Sequence, residues 1–252
     1  MGKANGIVEW AKHNISPHSL SYRVLEYLYQ RRFILPSLIQ RGGRIRSYFA
    51  QNPCRKICVG AGPSKLPGWL MTDYLPQDLS VIFLDARRPF PFPVGSIDYY
   101  FTEHMIEHAD YADGRRALQQ MFLTLKPGGH IRIATPDLQK VLALGTTPVD
   151  TDSVGSRYIR SLRPASVRIK RDRPSFAINS LISGSGHRFV YDIETLEDSL
   201  EEVGFIDTHR CKIGASEEPV LRNLETHGKI IGKDFNDLET MVIEARKPPI
   251  SG

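Results

Sequence analysis

The segment from Glu103 to His108, with the sequence EHMIEH, carries four side chains that can move protons or bind metal ions. Imidazole titrates near neutral pH, and imidazole and carboxylate groups are both common zinc ligands. If the segment were helical, His104 and His108 would share a face with Glu107 as a base, which is the H-x-x-E-H pattern of a zinc peptidase. A motif this short also matches by chance, and no third ligand has a diagnostic spacing. A zinc hydrolase is therefore the most distant functional alternative, and His108 is equally compatible with packing at a helix start.

A glycine-rich turn ends the first predicted strand, in the run ICVGAGPS over residues 57–64. Gly60 and Gly62 have no Cβ atom, so the backbone there is able to bend sharply and to approach a ligand closely. The third glycine of the dinucleotide-binding fingerprint is missing, since Ser64 follows Pro63. Taken alone, the turn predicts a tight bend as readily as a binding loop.

Carboxylates end the next two predicted strands. Asp73 closes the run WLMTD, and Asp85, followed by Ala86, closes the run VIFLD. Because the carboxyl ends of parallel strands meet at one edge of a sheet, where open α/β folds bind ligands, we expect these acids near the glycine turn. There Asp73 is suited to ribose hydroxyls and Asp85 to an adenine amino group. Each acid alone is also compatible with a turn or a helix cap.

A further histidine lies in the run GSGHRFVYD over residues 184–192, just before a predicted helix that Asp192 is suited to cap. His187 is a candidate base or substrate ligand, because its imidazole can change protonation state near neutral pH. The alternative is a structural histidine bonded at the junction of the loop and the helix.

From Lys56 onward, strand-length apolar runs alternate with polar connectors. These predicted strands would position the glycine turn, the acids and the histidines described above. The runs KICVG, WLMTD, VIFLD, DYYFT and HIRIAT are rich in β-branched and aromatic residues, and TMVIEARK predicts a last strand. Helical spacing marks YADGRRALQQMFLTL, which we expect to end at Pro127-Gly128-Gly129, and YDIETLEDSLEEVGF, which we expect to end at Gly204. Nearly continuous apolar strands alternating with helices predict an α/β fold with a parallel sheet covered on both faces.

Two basic regions accompany this core. Residues 17–49 have helical spacing with a break near Pro36, so residues 1–50 are predicted to form an N-terminal helical extension and residues 51–252 the main domain. Within the insert at residues 145–186, residues 157–173 hold seven Lys or Arg and one acid. A connection of this length predicts a functional loop, a lid or a disordered insert. Both regions fit solvated surfaces or contacts with a membrane or an anionic substrate.

Composition narrows the class of protein. The 252 residues are 41% hydrophobic and 24% charged, as in globular proteins, and the formal net charge is +5. No apolar run is long enough to cross a bilayer, the N-terminal MGKANGIVEWAKHN lacks the apolar centre of a signal peptide, and three cysteines make no disulfide framework. A reducing, cytoplasmic location is expected, with membrane association left open. The net positive charge favours anionic partners, but the density of basic residues is lower than in dedicated nucleic-acid-binding proteins.

The order of these motifs resembles that of class I S-adenosylmethionine (SAM)-dependent methyltransferases, from about Lys56 to Asp137 and more loosely to the C-terminus. The chain looks like the type 11-like branch, of the kind found near polysaccharide and glycolipid biosynthesis. In that branch the glycine turn is followed by KLPGW (residues 65–69), Asp73, an equivalent of Asp85, PFPF (residues 89–92), SID (residues 96–98) and EHMIEH. The series is much more specific than any one motif.

The resemblance implies a Rossmann-like, doubly wound and mostly parallel sheet with an antiparallel C-terminal strand, and SAM as the cofactor. It implies that the glycine turn wraps the methionine part of SAM, that Asp73 binds the ribose, and that Asp85 and Ala86 bind the adenine. It also places the segment from Thr102 to His104 beside the sulfonium. The implied cofactor-binding residues are Gly60, Ala61, Gly62, Pro63, Asp73, Asp85, Ala86, Thr102, Glu103 and His108.

One stretch departs from the superfamily pattern. About ten residues separate Gly62 from Asp73, whereas a parallel crossover normally takes a dozen or more and includes a helix. We therefore expect a compressed loop at the KLPGW motif. Asp78 is the alternative residue for the ribose.

The predicted function is SAM-dependent O-methylation of a sugar hydroxyl on a saccharide or glycolipid precursor. A hydroxyl loses a proton as it attacks, and a histidine with a pKa near neutrality can accept that proton. His104 and His187 are therefore the predicted catalytic bases, with Glu103 orienting one of them, and no metal site is predicted. The acceptor is expected to be a saccharide or another small molecule, and an anionic or lipid-linked form fits the basic regions.

A nucleic-acid acceptor is disfavoured, because the basic run lacks regular aromatic residues. The position after the fourth strand also reads Thr102-Glu103-His104 instead of the Asn/Asp-Pro-Pro-aromatic motif common in N-methyltransferases. Peripheral membrane contact and a homo-oligomer are compatible with the sequence. The main alternative to an active enzyme is a methyltransferase-fold protein that has lost catalysis and serves as a partner or scaffold.

Overall fold

The centre of the molecule is one β-sheet in the computed structural model, which describes residues 24, 27–29, 31–163 and 168–250. Its strands are β1 (Lys56–Val59), β2 (Leu70–Asp73), β3 (Ile82–Phe83), β4 (Ile97–Glu103), β5 (Leu125–Pro136), β6 (Ile206–Cys211) and β7 (Thr240–Arg246). They lie in the order β3-β2-β1-β4-β5-β7-β6, with β1 to β5 parallel and β7 antiparallel to both of its neighbours. The predicted Rossmann-like, mostly parallel sheet with an antiparallel C-terminal strand is confirmed.

Helices and short 3-10 turns connect these strands. The helices are α1 (Ile34–Gln51), α2 (Tyr111–Thr124), α3 (Leu138–Ala143), α4 (Val154–Ser161), α5 (Pro174–Ser183), α6 (Ile193–Val203), α7 (Gly228–Ile231) and α8 (Lys233–Glu239). The 3-10 turns are Ile106–His108, Leu144–Thr146, Gly184–Gly186 and Pro219–Leu221. Within the part of the chain that the structure describes, no helix combines the length and the apolar character that a membrane span needs.

The two long helices predicted from sequence begin at aspartate caps. Asp110 accepts a 2.8 Å hydrogen bond from the Asp113 amide, and Asp192 accepts one of 2.8 Å from the Thr195 amide. Gly204 ends α6 in the left-handed region, with φ of 111°, as predicted. Helix α2 ends at Thr124, before Pro127-Gly128-Gly129, because β5 has already begun.

A loop without a helix joins β1 to β2, as the short spacing predicts. Trp69, at the end of the KLPGW motif, is 8% exposed and packs edge-on against Phe101 with ring centroids 6.2 Å apart. Leu221 from a 3-10 turn joins the same buried cluster. These side chains cover the sheet face on which a helix would otherwise lie, so the compressed loop leaves the strands buried.

Helix α1 packs against the β3 edge of the sheet. The Ser37 hydroxyl donates to the Val81 carbonyl at 3.2 Å and accepts a 2.6 Å hydrogen bond from the Phe83 amide. The break expected near Pro36 lies instead just before Ile34, where α1 begins. Most of the remaining predicted helical region, from residue 17, lies outside the described residues, and the domain boundary near residue 50 stays a prediction.

The insert at residues 145–186 contains the helices α4 and α5, which corrects the expectation of an irregular loop or a disordered segment, and its role as a lid stays a prediction. Its helices α4 and α5 pack through Ile159, Ala177 and Leu181 onto Val141 of α3. Residues 164–167 lie outside the described residues. Short helices with many basic residues have too little apolar periodicity for a reliable prediction from sequence.

Replacing Trp69 by alanine tests whether its side chain substitutes for the missing helix. We expect Trp69→Ala to lower the free energy of unfolding by about 3–5 kcal/mol, because it opens a cavity beside Phe101. Urea unfolding monitored by circular dichroism measures this change. Val94→Ala is the control, since Val94 is 68% exposed and its loss should cost less than about 0.5 kcal/mol. Equal effects of the two substitutions would contradict this role of Trp69.

Candidate active site

A cavity of about 610 Å³ opens at the carboxyl ends of β1, β2, β3 and β4. The residues that line it include Gly60 after β1, Asp73 at the end of β2, Asp85 after β3 and His104 after β4. Open α/β sheets bind ligands at this edge. The predicted convergence of the glycine turn and the two acids is therefore present.

Hydrogen bonds to β2 hold the glycine turn in place. The amides of Gly60 and Ala61 both donate to the Thr72 carbonyl, at 2.9 and 3.0 Å. Gly60 has φ of 76°, and a Cβ atom there would lie 2.5 Å from Cγ of Met105, so a larger residue would clash. Gly62 has φ of 52° and open space within 4 Å of the Cβ position. The second glycine thus leaves room for a ligand beside the turn.

Asp73 shapes the turn as well as lining the cavity. Its Oδ2 accepts a 2.7 Å hydrogen bond from the Gly62 amide, and its Oδ1 accepts one of 2.7 Å from the Leu75 amide. Burial raises the pKa of Asp73, although these amides favour the ionised form. Asp78, the alternative ribose residue, forms an ion pair with Lys65 at 2.8 Å and is not among the lining residues described.

Asp85 is held by a bidentate contact with the arginine two residues downstream. Arg87 donates to Oδ1 from Nε at 2.8 Å and to Oδ2 from Nη2 at 2.9 Å. This hydrogen bonding lowers the pKa of Asp85, so the carboxylate is ionised at neutral pH. Ala86 also lines the cavity. The pair therefore stands where the resemblance places the adenine site.

His104 turns the chain out of the sheet at the end of β4. Its backbone is in the left-handed region, with φ of 47°, and its amide donates to the Ala134 carbonyl at 2.9 Å. The ring Nδ1 lies 3.1 Å from Glu107 Oε1, and Nε2 lies 3.2 Å from Thr240 Oγ1. The centroid of the His227 ring is 3.9 Å away. Protein groups thus face both ring nitrogens of His104.

Burial and neighbouring charges shift the pKa values of this group. Burial opposes the charged form of His104, but the carboxylates of Glu107 and Glu239 outweigh burial and raise its pKa. The same interaction lowers the pKa of Glu107, which is completely buried. Burial raises the pKa of Glu239 to about 7, and burial together with the adjacent His104 lowers the pKa of His227 to about 4. The arrangement favours a protonated His104 beside an ionised Glu107 and a neutral His227.

Glu103 binds a distant backbone segment instead of orienting a histidine ring. Its carboxylate accepts hydrogen bonds from the amides of Thr226 and His227, at 2.9 Å each, and from the Thr226 hydroxyl. The acid beside the His104 ring is Glu107. Sequence reasoning did not find His227 or Glu239, because both lie more than a hundred residues downstream in segments without a motif.

His108 and His187 form a second pair of imidazoles, and His108 lines the cavity. The rings of His108 and His187 meet edge to face with centroids 4.9 Å apart, and His108 is exposed at the cavity. His187 Nδ1 lies 2.6 Å from the Leu181 carbonyl oxygen. Since a carbonyl only accepts hydrogen bonds, Nδ1 carries the proton and Nε2 holds the free electron pair. Arg188 lines the cavity next to this pair.

The structure brings only part of the predicted set to the cavity. Residues that line it are Gly60, Gly62, Asp73, Asp85, Ala86, His104 and His108. Residues predicted for the site that are not among the described lining residues are Ala61, Pro63, Thr102, Glu103 and His187, and their proposed roles stay predictions. Thr102 is buried within β4, and its hydroxyl has no hydrogen-bond partner among the described residues.

The H-x-x-E-H segment does not form the helix that a zinc peptidase needs. Strand β4 ends at Glu103, and Ile106–His108 is a 3-10 turn. His104 groups with His227 and Glu239 as potential ligands, while His108 belongs to a different group. In the described chain, His104 and His108 are therefore not placed to share one metal ion.

Comparison with known families supports the predicted class. A family described as a methyltransferase domain matches residues 42–133, a range that includes the glycine turn, Asp73 and Asp85. The match covers little more than a third of the chain, and together with the Rossmann-like strand order it supports the class of SAM-dependent methyltransferases. No curated protein matches the chain. The polysaccharide-associated branch stays a prediction.

Solved structures similar to this chain include three methyltransferases. One is Haemonchus contortus phosphoethanolamine N-methyltransferase 2 in complex with SAM, which is 15% identical to this chain with a TM-score of 0.42. The match covers 77% of this chain and 49% of the Haemonchus protein, so this chain spans about half the length of that protein. A SAM-dependent methyltransferase from Archaeoglobus fulgidus is 17% identical with a TM-score of 0.44, and the match covers 88% of this chain and 99% of that protein. A possible histamine N-methyltransferase from Thermotoga maritima is 16% identical with a TM-score of 0.42, and the match covers 89% of this chain and 95% of that protein.

The two candidate ribose carboxylates can be separated by matched substitutions. We expect Asp73→Asn to weaken SAM binding by at least about tenfold, because it removes a charged acceptor from the cavity and weakens the tie to Gly62. Asp78→Asn should change the affinity less than about twofold, since Asp78 pairs with Lys65 outside the cavity. Isothermal titration calorimetry measures both. A larger loss in Asp78→Asn would transfer the ribose role to Asp78.

Proposed function

We propose that the protein is a SAM-dependent methyltransferase that transfers a methyl group to a hydroxyl of a saccharide or another small acceptor. The observation that carries this proposal is one cavity lined by Gly62, Asp73 and Asp85 together with His108 and Arg188. The match of residues 42–133 to a methyltransferase domain supports SAM as the cofactor. The resemblance to a branch associated with polysaccharide and glycolipid assembly supports the acceptor class, as an analogy.

The residues on the cofactor side fit SAM. Open space beside Gly62 admits the methionine part, and the carboxylates of Asp73 and Asp85 keep acceptor sites beyond their protein contacts. Asp73 would hold the ribose hydroxyls, and Asp85 with Ala86 the adenine. When bound, SAM supplies a methyl group that is already activated on a positively charged sulfur. The protein then has to position the acceptor and accept its proton.

His108 and His187 are the proposed proton acceptors. The sequence favours His104 first, but Glu107 and Thr240 occupy its two ring nitrogens. His187 keeps its predicted role because its Nδ1–H is fixed on a carbonyl, which leaves Nε2 to accept a proton. His108 lines the cavity itself and packs against the His187 ring. A hydroxyl bound beside this pair would lose its proton to it as the oxygen attacks the methyl group.

An anionic acceptor fits the arginines of the cavity. Arg188 lines it and has no carboxylate partner among the residues described, and Arg31 lines it as well. A guanidinium binds a phosphate or carboxylate through two parallel hydrogen bonds. These residues support a phosphorylated or otherwise anionic saccharide as the acceptor.

Methyl transfer to defined acceptors tests the function. Purified protein and SAM with a labelled methyl group are incubated with neutral sugars, sugar phosphates and lipid-linked sugar phosphates, and the products are identified by mass spectrometry. We expect a methyl ether on a phosphorylated sugar, and Arg188→Ala should lower kcat/KM for it by at least about tenfold while sparing neutral sugars. Label on nitrogen would contradict the acceptor class. SAM binding with no transfer to any acceptor would favour the scaffold alternative.

Alanine substitutions test the proton acceptors. We expect His108→Ala and His187→Ala each to lower turnover by about 100-fold or more, while SAM affinity changes less than about threefold. His209→Ala is the matched control, because His209 lies exposed on β6 and should leave turnover unchanged. Unchanged turnover in both cavity variants would contradict the assignment. A lost SAM affinity in His108→Ala would make His108 a cofactor residue instead.

The pH profile provides a second test of His108. Partial burial in the cavity wall lowers the pKa of His108 from its usual 6.5, and the neighbouring His187 and His104 lower it as well. The carboxylate of Glu107 acts in the opposite direction. The neutral imidazole is the base, so turnover should be full above this pKa and fall as pH drops below it. We expect the acidic limb of the kcat profile to lie below pH 6.5 and to disappear in His108→Ala. A limb that persists unchanged would exclude His108 as the titrating group.

A further inference from the structure

Three potential metal ligands from separate elements meet behind the part of the cavity wall that His104 forms. His104 follows β4, His227 precedes α7, and Glu239 ends α8. His227 Nε2 lies 3.2 Å and His104 Nε2 lies 4.0 Å from the same atom, Glu239 Oε1. Two imidazoles and one carboxylate are a common ligand set for Zn²⁺ and Fe²⁺.

The separations of these donor atoms suit a small divalent cation. Ligand atoms about 2.0–2.1 Å from a tetrahedral Zn²⁺ ion are about 3.3 Å apart. The two measured distances to Glu239 Oε1 lie on either side of that value. The donor atoms of His104, His227 and Glu239 all lie within 4.8 Å of one another.

Further contacts orient the ligands, as outer contacts do in established metal sites. Glu107 Oε1 lies 3.1 Å from Nδ1 of His104, which leaves the opposite ring nitrogen, Nε2, on the side of Glu239. Nε2 also lies 3.2 Å from Thr240 Oγ1, and a bound cation would replace the proton that Nε2 shares with this hydroxyl. The Tyr158 hydroxyl contacts Glu239 Oε2 and leaves Oε1 to face the imidazoles. All of these groups are buried or partly buried. The donors are therefore presented by packed side chains and not by a flexible surface.

Another cluster with ligand-type side chains has weaker geometry for a metal. His209, Cys211 and Glu244 also lie close together. However, Glu244 already pairs with the buried guanidinium of Arg132, and His209 is exposed. A cation on the other oxygen of Glu244, Oε2, would lie beside that positive charge and would compete with the Ser216 hydroxyl, which donates to Oε2 at 3.0 Å. This cluster supplies a matched control for substitution.

We propose that His104, His227 and Glu239 bind one divalent transition-metal cation. Among the described residues only His104 of the three lines the cavity, so the cation would lie behind the wall. It would join the end of β4 to the segment from His227 to Glu239 and thereby fix the wall of the cavity. The three ligands are positioning residues in this proposal, and metal binding does not depend on the proposed methyl transfer.

Metal content and zinc titration of the full chain test this site. The purified protein is analysed for zinc, iron and manganese by mass spectrometry, stripped with a chelator, and titrated with Zn²⁺ by calorimetry. We expect about one Zn²⁺ per chain and a rise in Tm of about 5 °C or more at saturating zinc. His227→Ala and Glu239→Gln should weaken zinc binding by at least about 100-fold. His209→Ala should bind zinc as the wild type does.

Circular dichroism establishes whether each variant is folded. If Glu239→Gln fails to fold, the zinc affinity of His227→Ala alone tests the proposed site. Folded wild-type protein that takes up none of Zn²⁺, Fe²⁺ and Mn²⁺ would overturn the proposal. So would zinc binding that survives His227→Ala and is lost in His209→Ala. One bound zinc with no SAM binding would leave this site standing and contradict only the proposed methyltransferase function. Methyl transfer by wild-type protein that takes up none of these three cations would contradict only the metal site.

Discussion

The hydrogen bonds between the glycine turn and β2 are the constraint on which the rest of the site depends. Thr72 accepts hydrogen bonds from two amides of the turn, and Asp73 accepts one from Gly62. The connection from β1 to β2 contains no helix whose N-terminus would stabilise this turn, so β2 supplies the bonding partners directly. Because Asp73 both shapes the turn and faces the cavity, the form of the loop and the binding of a ribose would be coupled through one carboxylate.

The end of β4 connects this cavity to the C-terminal part of the chain. His104 leaves the sheet with a left-handed backbone, which redirects the chain into the 3-10 turn that carries Glu107 and His108. Glu103 holds the backbone near His227 on the other side of the strand. One junction therefore separates two sets of imidazoles. The buried set is suited to a cation, and the set exposed at the cavity is suited to accepting a proton.

Much of the fold is predictable from sequence, because strands buried on both faces give continuous apolar runs and aspartate caps mark the starts of α2 and α6. The acids Asp73 and Asp85 could be placed near the glycine turn because parallel strands bring their carboxyl ends together. Strand β6 was missed because it is a half-exposed edge strand. His227 and Glu239 could not be found, since only tertiary packing brings them to His104. The sequence also does not show which of the two neighbouring acids, Glu103 or Glu107, lies beside the His104 ring.

Calorimetric titration of the wild-type protein with SAM, and separately with its demethylated product, is the decisive experiment for cofactor binding at this cavity. Both ligands would contact the glycine turn and the two carboxylates in the proposed binding mode, and the experiment does not require the acceptor to be known. We expect saturable binding of each ligand at one site with micromolar affinity. Absence of binding to either ligand, by protein that circular dichroism and a cooperative thermal transition establish as folded, would contradict it.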